Sequence, residues 1–475
     1  MRGIYKKIFT VLLAVSIIMT TKAYALTITH PSRQNITVTE KGIFFTGKIS
    51  DSETVYINGV KINPETNGAF CHCFSLKIGD NIFEIKKEDG ENFETKKYTV
   101  KRVSPSTANT HNKFIPKEPE YYLTSKDGTI LRNTPVNAGM NRLGYLPEDT
   151  EVFVDGKYNE FSRVYLKNGK YGWIMTCELK PEICINSEYH PVKFINKEEQ
   201  ILNDKTVYSY NLEKNTPYSA VSNGEKLTLT IFNLDNDEEC YTEEFLLDKI
   251  PRYSVDLKNN LLTLSIKNDF QIKKTTKKHT KQHIPQNISK FVPNIVIDAG
   301  HGGNELGAVG CLGDKEKDLN LKVALCLKEV LESHNYNVYL TRTDDSFMSL
   351  TDRVAYGKEN NATIFISIHL NSVPISVNPN LHSGTIVYYY NPQAKKFAEI
   401  LSKTVTEGIQ TKNNGIAQSS LAVIRPTEYI GVLIELAFMV NPKDVDIYKS
   451  EDFAQNSAEA IYKGIEDYFN NELKN

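Results

Sequence analysis

After Phe291 the chain changes its grammar, and that change restricts the possible folds more than any other feature. Apolar, β-branched runs at Asn294 to Asp298, Asn337 to Leu340, Ile364 to Ile368, Thr385 to Tyr389, Leu421 to Ile424 and Val432 to Leu436 read as strands. Between and after them, Glu316 to Ser333, Leu350 to Asn360, Ala394 to Thr411 and Asp452 to Leu473 carry helical periodicity. Alternation of this kind predicts an α/β domain over 292–475, built on a mainly parallel six-stranded sheet. The earlier residues show no such alternation, so the chain reads as multidomain, with all-β modules first.

At 475 residues the chain exceeds one ordinary core. Its apolar and charged fractions, 40% and 24%, are those of a globular protein, and a formal net charge of -2 gives no argument for nucleic acid. Residues 1–25 read as an export signal: Arg2, Lys6 and Lys7, an apolar run from Ile8 to Met19, then Ala23-Tyr24-Ala25 as a cleavage site. The run is short for a membrane span, so no transmembrane segment is expected after cleavage. An exported protein of the periplasm, cell wall or extracellular space follows. Seven cysteines, an odd number thinly spread, do not make a disulfide scaffold, although Cys177 and Cys184 could bridge in an oxidising compartment.

Residues 26–103 hold short alternating strands broken by Asn58-Gly59, Asn67-Gly68 and Gly79-Asp80-Asn81. The segments Val55-Tyr56-Ile57-Asn58-Gly59, Gly68-Ala69-Phe70 and Leu76 to Asn81 resemble those of bacterial Ig-like modules, which implies a small sandwich serving spacing or adhesion. A linker at 104–119 leads into 120–182, where Ile130-Leu131-Arg132, Arg142-Leu143-Gly144, Leu146-Pro147 and Gly172-Trp173-Ile174 resemble a bacterial SH3-like barrel. Trp173, the one tryptophan, is expected in its core, with ligand stacking as the alternative. Residues 187–270 form a further β-rich domain, and Lys273, Lys274, Lys277, Lys278 and Lys281 mark a basic linker at 271–291.

In open α/β sheets, functional groups gather at the carboxyl ends of strands. The first strand delivers Asp298 and then His301 within a glycine cluster, Ile364 to Ile368 delivers His369 with Asn371 beyond it, and Val432 to Ile434 delivers Glu435. Glu316 lies one turn before Leu319 on the stripe Leu319, Val323, Leu327, Val330, where a carboxylate facing the sheet needs a partner. A cation would supply one; a solvated acid favouring the helix dipole is the other reading. Two imidazoles and a carboxylate make an open zinc site whose fourth position is left to water, with Glu435 placed to carry the proton. Histidine donors argue against calcium or magnesium.

The motifs Ile297-Asp298-Ala299-Gly300-His301-Gly302-Gly303, Glu316-Lys317-Asp318-Leu319-Asn320-Leu321, Leu340-Thr341-Arg342, Ser367-Ile368-His369-Leu370-Asn371 and Leu433-Ile434-Glu435-Leu436-Ala437-Phe438 resemble, in order, those of the zinc-dependent N-acetylmuramoyl-L-alanine amidases of the amidase-3 type. The resemblance implies His301, Glu316 and His369 as Zn2+ ligands, in preference to Asp318 or Asp298, and Glu435 as the catalytic carboxylate. It implies peptidoglycan as substrate, cut between N-acetylmuramic acid and L-alanine, with wall binding through the β-modules. Ala437 stands where the family commonly has glycine, and Asn414-Gly415 replaces a frequent arginine-glycine pair. The short loop from Asn371 to Gly384 leaves no room for the helical plug of some relatives. Asn371, His382 and Arg425 are the candidate substrate contacts, Arg425 for a stem carboxylate. A non-catalytic wall-binding or activator protein on the same scaffold and a zinc peptidase acting on stem peptides are the alternatives.

Overall fold

The computed structural model describes residues 27–90, 92–104, 114–137, 140–167, 169–180, 189–235, 240–247, 252–268 and 292–473. The signal segment 1–25, the basic linker 271–291 and Cys184 lie outside the described residues, as does most of the linker at 104–119. Among the described residues no helix is long and apolar enough to cross a membrane.

The C-terminal domain contains strands β1 (Asn294–Ala299), β2 (Asn337–Leu340), β3 (Ile364–Asn371), β4 (Thr385–Tyr389), β5 (Asn413–Gln418) and β6 (Ile430–Phe438), in the sheet order β2-β1-β3-β6-β4-β5. The first four of that order are mutually parallel, while β4 pairs antiparallel with β6 and carries β5 beside it. Helices α1 (Glu316–Ser333), α2 (Leu350–Glu359), α3 (Lys395–Ile409), the short α4 (Val445–Tyr448) and α5 (Phe453–Leu473) complete it. Both faces of the central strands are covered, which is why Ile295, Val296 and Ile297 form an unbroken apolar run. Ile295 and Ile297 share one core with Val323, Leu327, Leu401 and Ile461 on the α1, α3 and α5 side, and Val296 shares another with Phe365, Leu433 and Tyr429 on the α2 side.

One expected strand is absent. Leu421 to Ile424 contains a 3-10 turn at Ala422–Ile424, whose Val423 and Ile424 are buried against the α2 face. A four-residue apolar run buries equally well as a strand or as a turn, and periodicity cannot separate them. The sixth strand is instead β5, whose Asn413-Asn414-Gly415 opening carries no apolar alternation because it sits at the sheet edge.

Residues 27–102 form a three-stranded and a five-stranded sheet packed around Phe45, Val55, Phe70, Phe83 and Val100. Residues 115–175 form one six-stranded antiparallel sheet, and the strands from 194 to 267 form two more. The apolar residues of these last two regions are continuous: Leu131, Val152 and Ile174 belong to one core with Tyr210, Leu229 and Leu264. Trp173 is not in that core. Along Tyr171–Met175 the pleat turns Gly172 and Ile174 inward, leaving Trp173 half-buried on the opposite face, edge-on to Phe114 and Tyr158.

The β-regions hold the catalytic-type domain at two edges. At the amino ends of the sheet, Tyr253 N–H donates to the Thr427 carbonyl at 3.0 Å and Thr427 Oγ1 donates back to the Tyr253 carbonyl. Beside the carboxyl ends, the first sandwich engages three loops: Thr29 Oγ1 donates to the Cys311 carbonyl, Asn67 Nδ2 to the Pro442 carbonyl and Asp446, and Asn380 Nδ2 to the Cys71 carbonyl.

Candidate metal centre

The three strands that carry the site are adjacent in the sheet, in the order β1, β3, β6. Their parallel register sets His369 opposite Glu435. At the end of β1 the chain turns sharply, with His301 at φ 60, Gly302 at φ 138 and Gly303 at φ 55. Two other glycines admit side chains to the backbone. A Cβ on Gly300 would lie 2.3 Å from Nε2 of His369, and one on Gly307 would lie 2.5 Å from Oε2 of Glu316. Gly300 is required by this close approach, and Gly307, at φ 68, by close approach and backbone conformation together.

Glu316, the first residue of α1, is 4% exposed and is the hub of the cluster. Its Oε1 lies 2.8 Å from His369 Nδ1 and its Oε2 lies 3.2 Å from His301 Nε2. The Ala308 and Leu370 N–H groups and Asn320 Nδ2 also donate to this carboxylate. Burial pushes Glu316 up, but the two imidazole hydrogen bonds outweigh it and hold the carboxyl well below its usual range. Burial likewise opposes the protonation of His369, and the contacts with Glu316 win, raising it. The metal-binding atoms of His301, Glu316 and His369 all fall within 4.8 Å of one another. Such a group could hold a metal ion, and with two nitrogen donors and one oxygen donor its chemistry suits zinc.

Glu435 completes the rim. Among the described residues its buried Oε2 has no hydrogen-bond partner, and burial pushes the carboxyl up to about 7 despite the nearby His369. An orphaned buried carboxylate oxygen is costly, and at the edge of a three-ligand cluster a water held by a cation would satisfy it.

Asp298, delivered by the same strand as His301, points into the core instead. It is 1% exposed and accepts from Thr341 Oγ1, Ser367 Oγ and Arg353 Nη1. Arg353 also donates to the carbonyls of Ala299 and His301, and Arg342 donates to those of Ala299, Gly300 and Lys317. Two buried guanidiniums therefore hold the His301 turn by its backbone. No role was assigned to either arginine from sequence; the available signal was a charge at Arg353 on the inward face of α2, only 2% exposed.

The candidate substrate contacts divide. Asn371 reaches Tyr388, whose hydroxyl also feels Glu435, so it lies beside the catalytic-type carboxylate. His382 is exposed with its ring 6.0 Å from that of Phe438, on the loop that flanks the rim. Arg425 is not brought to the cluster. It follows the 3-10 turn that packs against Gly431, near the amino end of β6, and its guanidinium donates to the Ser420 carbonyl and Oγ. The sequence placed it at a strand's carboxyl end, but that strand is the turn described above. Within the described residues the rim is open, with 28% of the His301 side chain exposed.

Comparison with known proteins bears on this site directly. The family described as Amidase_3, N-acetylmuramoyl-L-alanine amidase, matches residues 295–467. YqiI of Bacillus subtilis strain 168 is 37% identical over 179 residues, which cover 37% of this chain and 84% of that protein. The chain belongs to the N-acetylmuramoyl-L-alanine amidases. It is accordingly a hydrolase of peptidoglycan amide bonds. The Staphylococcus aureus protein named "Probable cell wall amidase LytH" is 36% identical over 177 residues, 37% of this chain and 58% of that one. The catalytic domain of CwlV, an N-acetylmuramoyl-L-alanine amidase from Bacillus (Paenibacillus) polymyxa var. colistinus, is 34% identical, with 38% of this chain and 99% of that domain covered at a TM-score of 0.36. The amidase match begins at β1 and ends within α5, so it contains all four residues of the cluster and rim and none of the β-modules.

Proposed function

We propose that this amidase is an exported, zinc-dependent enzyme that cleaves the amide between the lactyl group of N-acetylmuramic acid and the L-alanine of the stem peptide. His301, Glu316 and His369 hold the ion. When bound, zinc lowers the pKa of a water to about 7 and polarises the scissile carbonyl. The observation that carries the reading is the buried Oε2 of Glu435, unpaired among the described residues and beside the His-Glu-His cluster. A carboxylate raised by burial takes a proton readily and yields it again, which is what a general base that becomes the general acid for the leaving amine must do. Arg342 and Arg353 fix the His301 turn, and Gly300 and Gly307 let the imidazole and carboxylate close on the backbone. Asn371, beside Glu435, and the exposed His382 are the substrate contacts.

The N-terminal Ig-like sandwich and the SH3-like sheet place the enzyme on the wall, consistent with the export signal and with a fold in which the sandwich and the β-region that shares a core with the SH3-like sheet bond to the amidase domain. The test is digestion of purified peptidoglycan by wild type, Glu435→Ala and His301→Ala, with zinc measured in each. Glu435→Ala keeps zinc and loses stem release, whereas His301→Ala loses both. Released stems carry a new N-terminal alanine; fragments cut within the stem would instead identify a peptidase. Near wild-type release by Glu435→Ala would remove it from the mechanism.

A further inference from the structure

The guanidinium that does not reach the metal rim has a different setting. A cleft of about 430 Å3 lies between the amidase domain and the two central β-regions, and Arg425, Tyr390 and Lys358 line it from the amidase side. Arg142 and Tyr145 enter from the strand Arg142–Leu146. Burial and then the charge of Arg142 hold Arg425 below its ordinary value, and Tyr390 feels both guanidiniums. Two like charges thus converge across a domain boundary. Among the described residues neither arginine makes an ion pair, and the carboxylate that lines the cleft, Glu428, is engaged by Lys358 at 2.6 Å. Arg425 spends Nε and Nη2 on Ser420, which fixes its plane while leaving further N–H donors. Tyr145, 44% exposed, adds an aromatic face at the mouth.

Converging guanidiniums without a counter-ion raise the energy of the empty cleft, and an anion relieves it. Planar forks match a carboxylate bidentately. We propose that this cleft is a second binding site, separate from the metal centre, for a free carboxylate borne by the stem peptides of peptidoglycan. The inference rests on the peptidoglycan reading above. Its place in the fold supports it: α2 lines the cleft from Leu350 to Lys358, while Arg353 on the same helix holds the His301 carbonyl. A helix of ten residues is on the order of 15 Å long, so cleft and metal rim are a short distance apart on one domain. A polymer that repeats its carboxylates can occupy both together, gaining residence time on the wall without slowing chemistry at the rim.

The probe is purified peptidoglycan stripped of phosphate polymers, and the protein is the zinc-loaded, full-length Glu435→Ala chain, with binding read by co-sedimentation. Converting the free carboxylates of the peptidoglycan to amides weakens binding about tenfold, the loss of one charge-assisted pair. Arg142→Gln weakens binding to untreated peptidoglycan by a similar factor and is then indifferent to amidation. The amidation arm needs no second substitution, so misfolding of the Arg142 variant cannot mask the answer. Equal binding of treated and untreated peptidoglycan overturns the proposal, as does an Arg142→Gln variant of full affinity or tight binding only to walls that retain phosphate polymers. Stem release by the wild type on the same material is scored separately: release together with amidation-blind binding sinks this inference alone.

Discussion

Gly300→Ala isolates the packing on which the metal centre depends. Gly300 is not among the residues of positive φ, so its backbone tolerates a side chain and no conformational strain is expected. The cost is steric. The new methyl would sit 2.3 Å from both Cε1 and Nε2 of His369, against an ordinary contact of 3.4 Å or more, so the ring must retreat by about 1 Å. It cannot swing freely, because its Nδ1 is held by Glu316 at 2.8 Å and its side chain is only 18% exposed. Misplacement by about 1 Å costs on the order of 100-fold in rate, or about 2.7 kcal/mol of barrier. Stem release and zinc content are measured side by side, with Gly313→Ala as the control. Gly313, at φ 89 with open space around it, costs roughly 1 kcal/mol in backbone strain and leaves activity intact. If Gly300→Ala kept wild-type turnover and zinc, the claim that His369 is placed by contact with the strand end would fail.

Three further outcomes are expected. Arg353→Met leaves Asp298 buried without its ion pair and frees the His301 carbonyl, destabilising the fold by about 3–5 kcal/mol in thermal unfolding; a loss below about 1 kcal/mol would show that the pair is dispensable. In the zinc-free chain, Glu435 is raised from 4.5 to about 7, so its contribution to stability is present below 4.5 and lost as pH rises through 7. Glu316, depressed below 4.5, acts in the opposite sense and only below that value, so Glu435→Gln should flatten the stability profile between 4.5 and about 7; an unchanged profile contradicts the assignment. Chelation should abolish stem release and lower the unfolding temperature, and added zinc should restore both; full activity in the presence of chelator would exclude a metal enzyme.

Helix α1 was legible from end to end because its apolar stripe repeats at helical spacing from Leu319 to Val330, and strands β2 and β4 likewise followed from their apolar runs. The convergence of His301, His369 and Glu435 followed from reading only strand ends, which works when parallel neighbours share a register. What escaped reading was set by tertiary surroundings. Leu421 to Ile424 has the composition of a strand but packs as a turn, and Arg425 travelled with that error away from the rim. Trp173 was assigned by size, whereas its facing depended on the parity of the pleat. Arg342 and Arg353 bond to backbone carbonyls, and contacts of that kind leave no trace in side-chain patterns.

His369 and Glu435 stand opposite each other on neighbouring strands, joined by the same ladder that holds the sheet interior. Their spacing is therefore a property of the main chain, of the order of one strand separation, and does not rest on loop conformation. Such an arrangement cannot fray by degrees. The amide protons of Ile368 and Ile434 should exchange with solvent only through the largest opening the domain undergoes, and the enzyme should lose its chemistry in that same event. On the proposal that the hydrolase is exported, beyond the reach of intracellular chaperones, this ties working lifetime to the unfolding rate of one pair of strands.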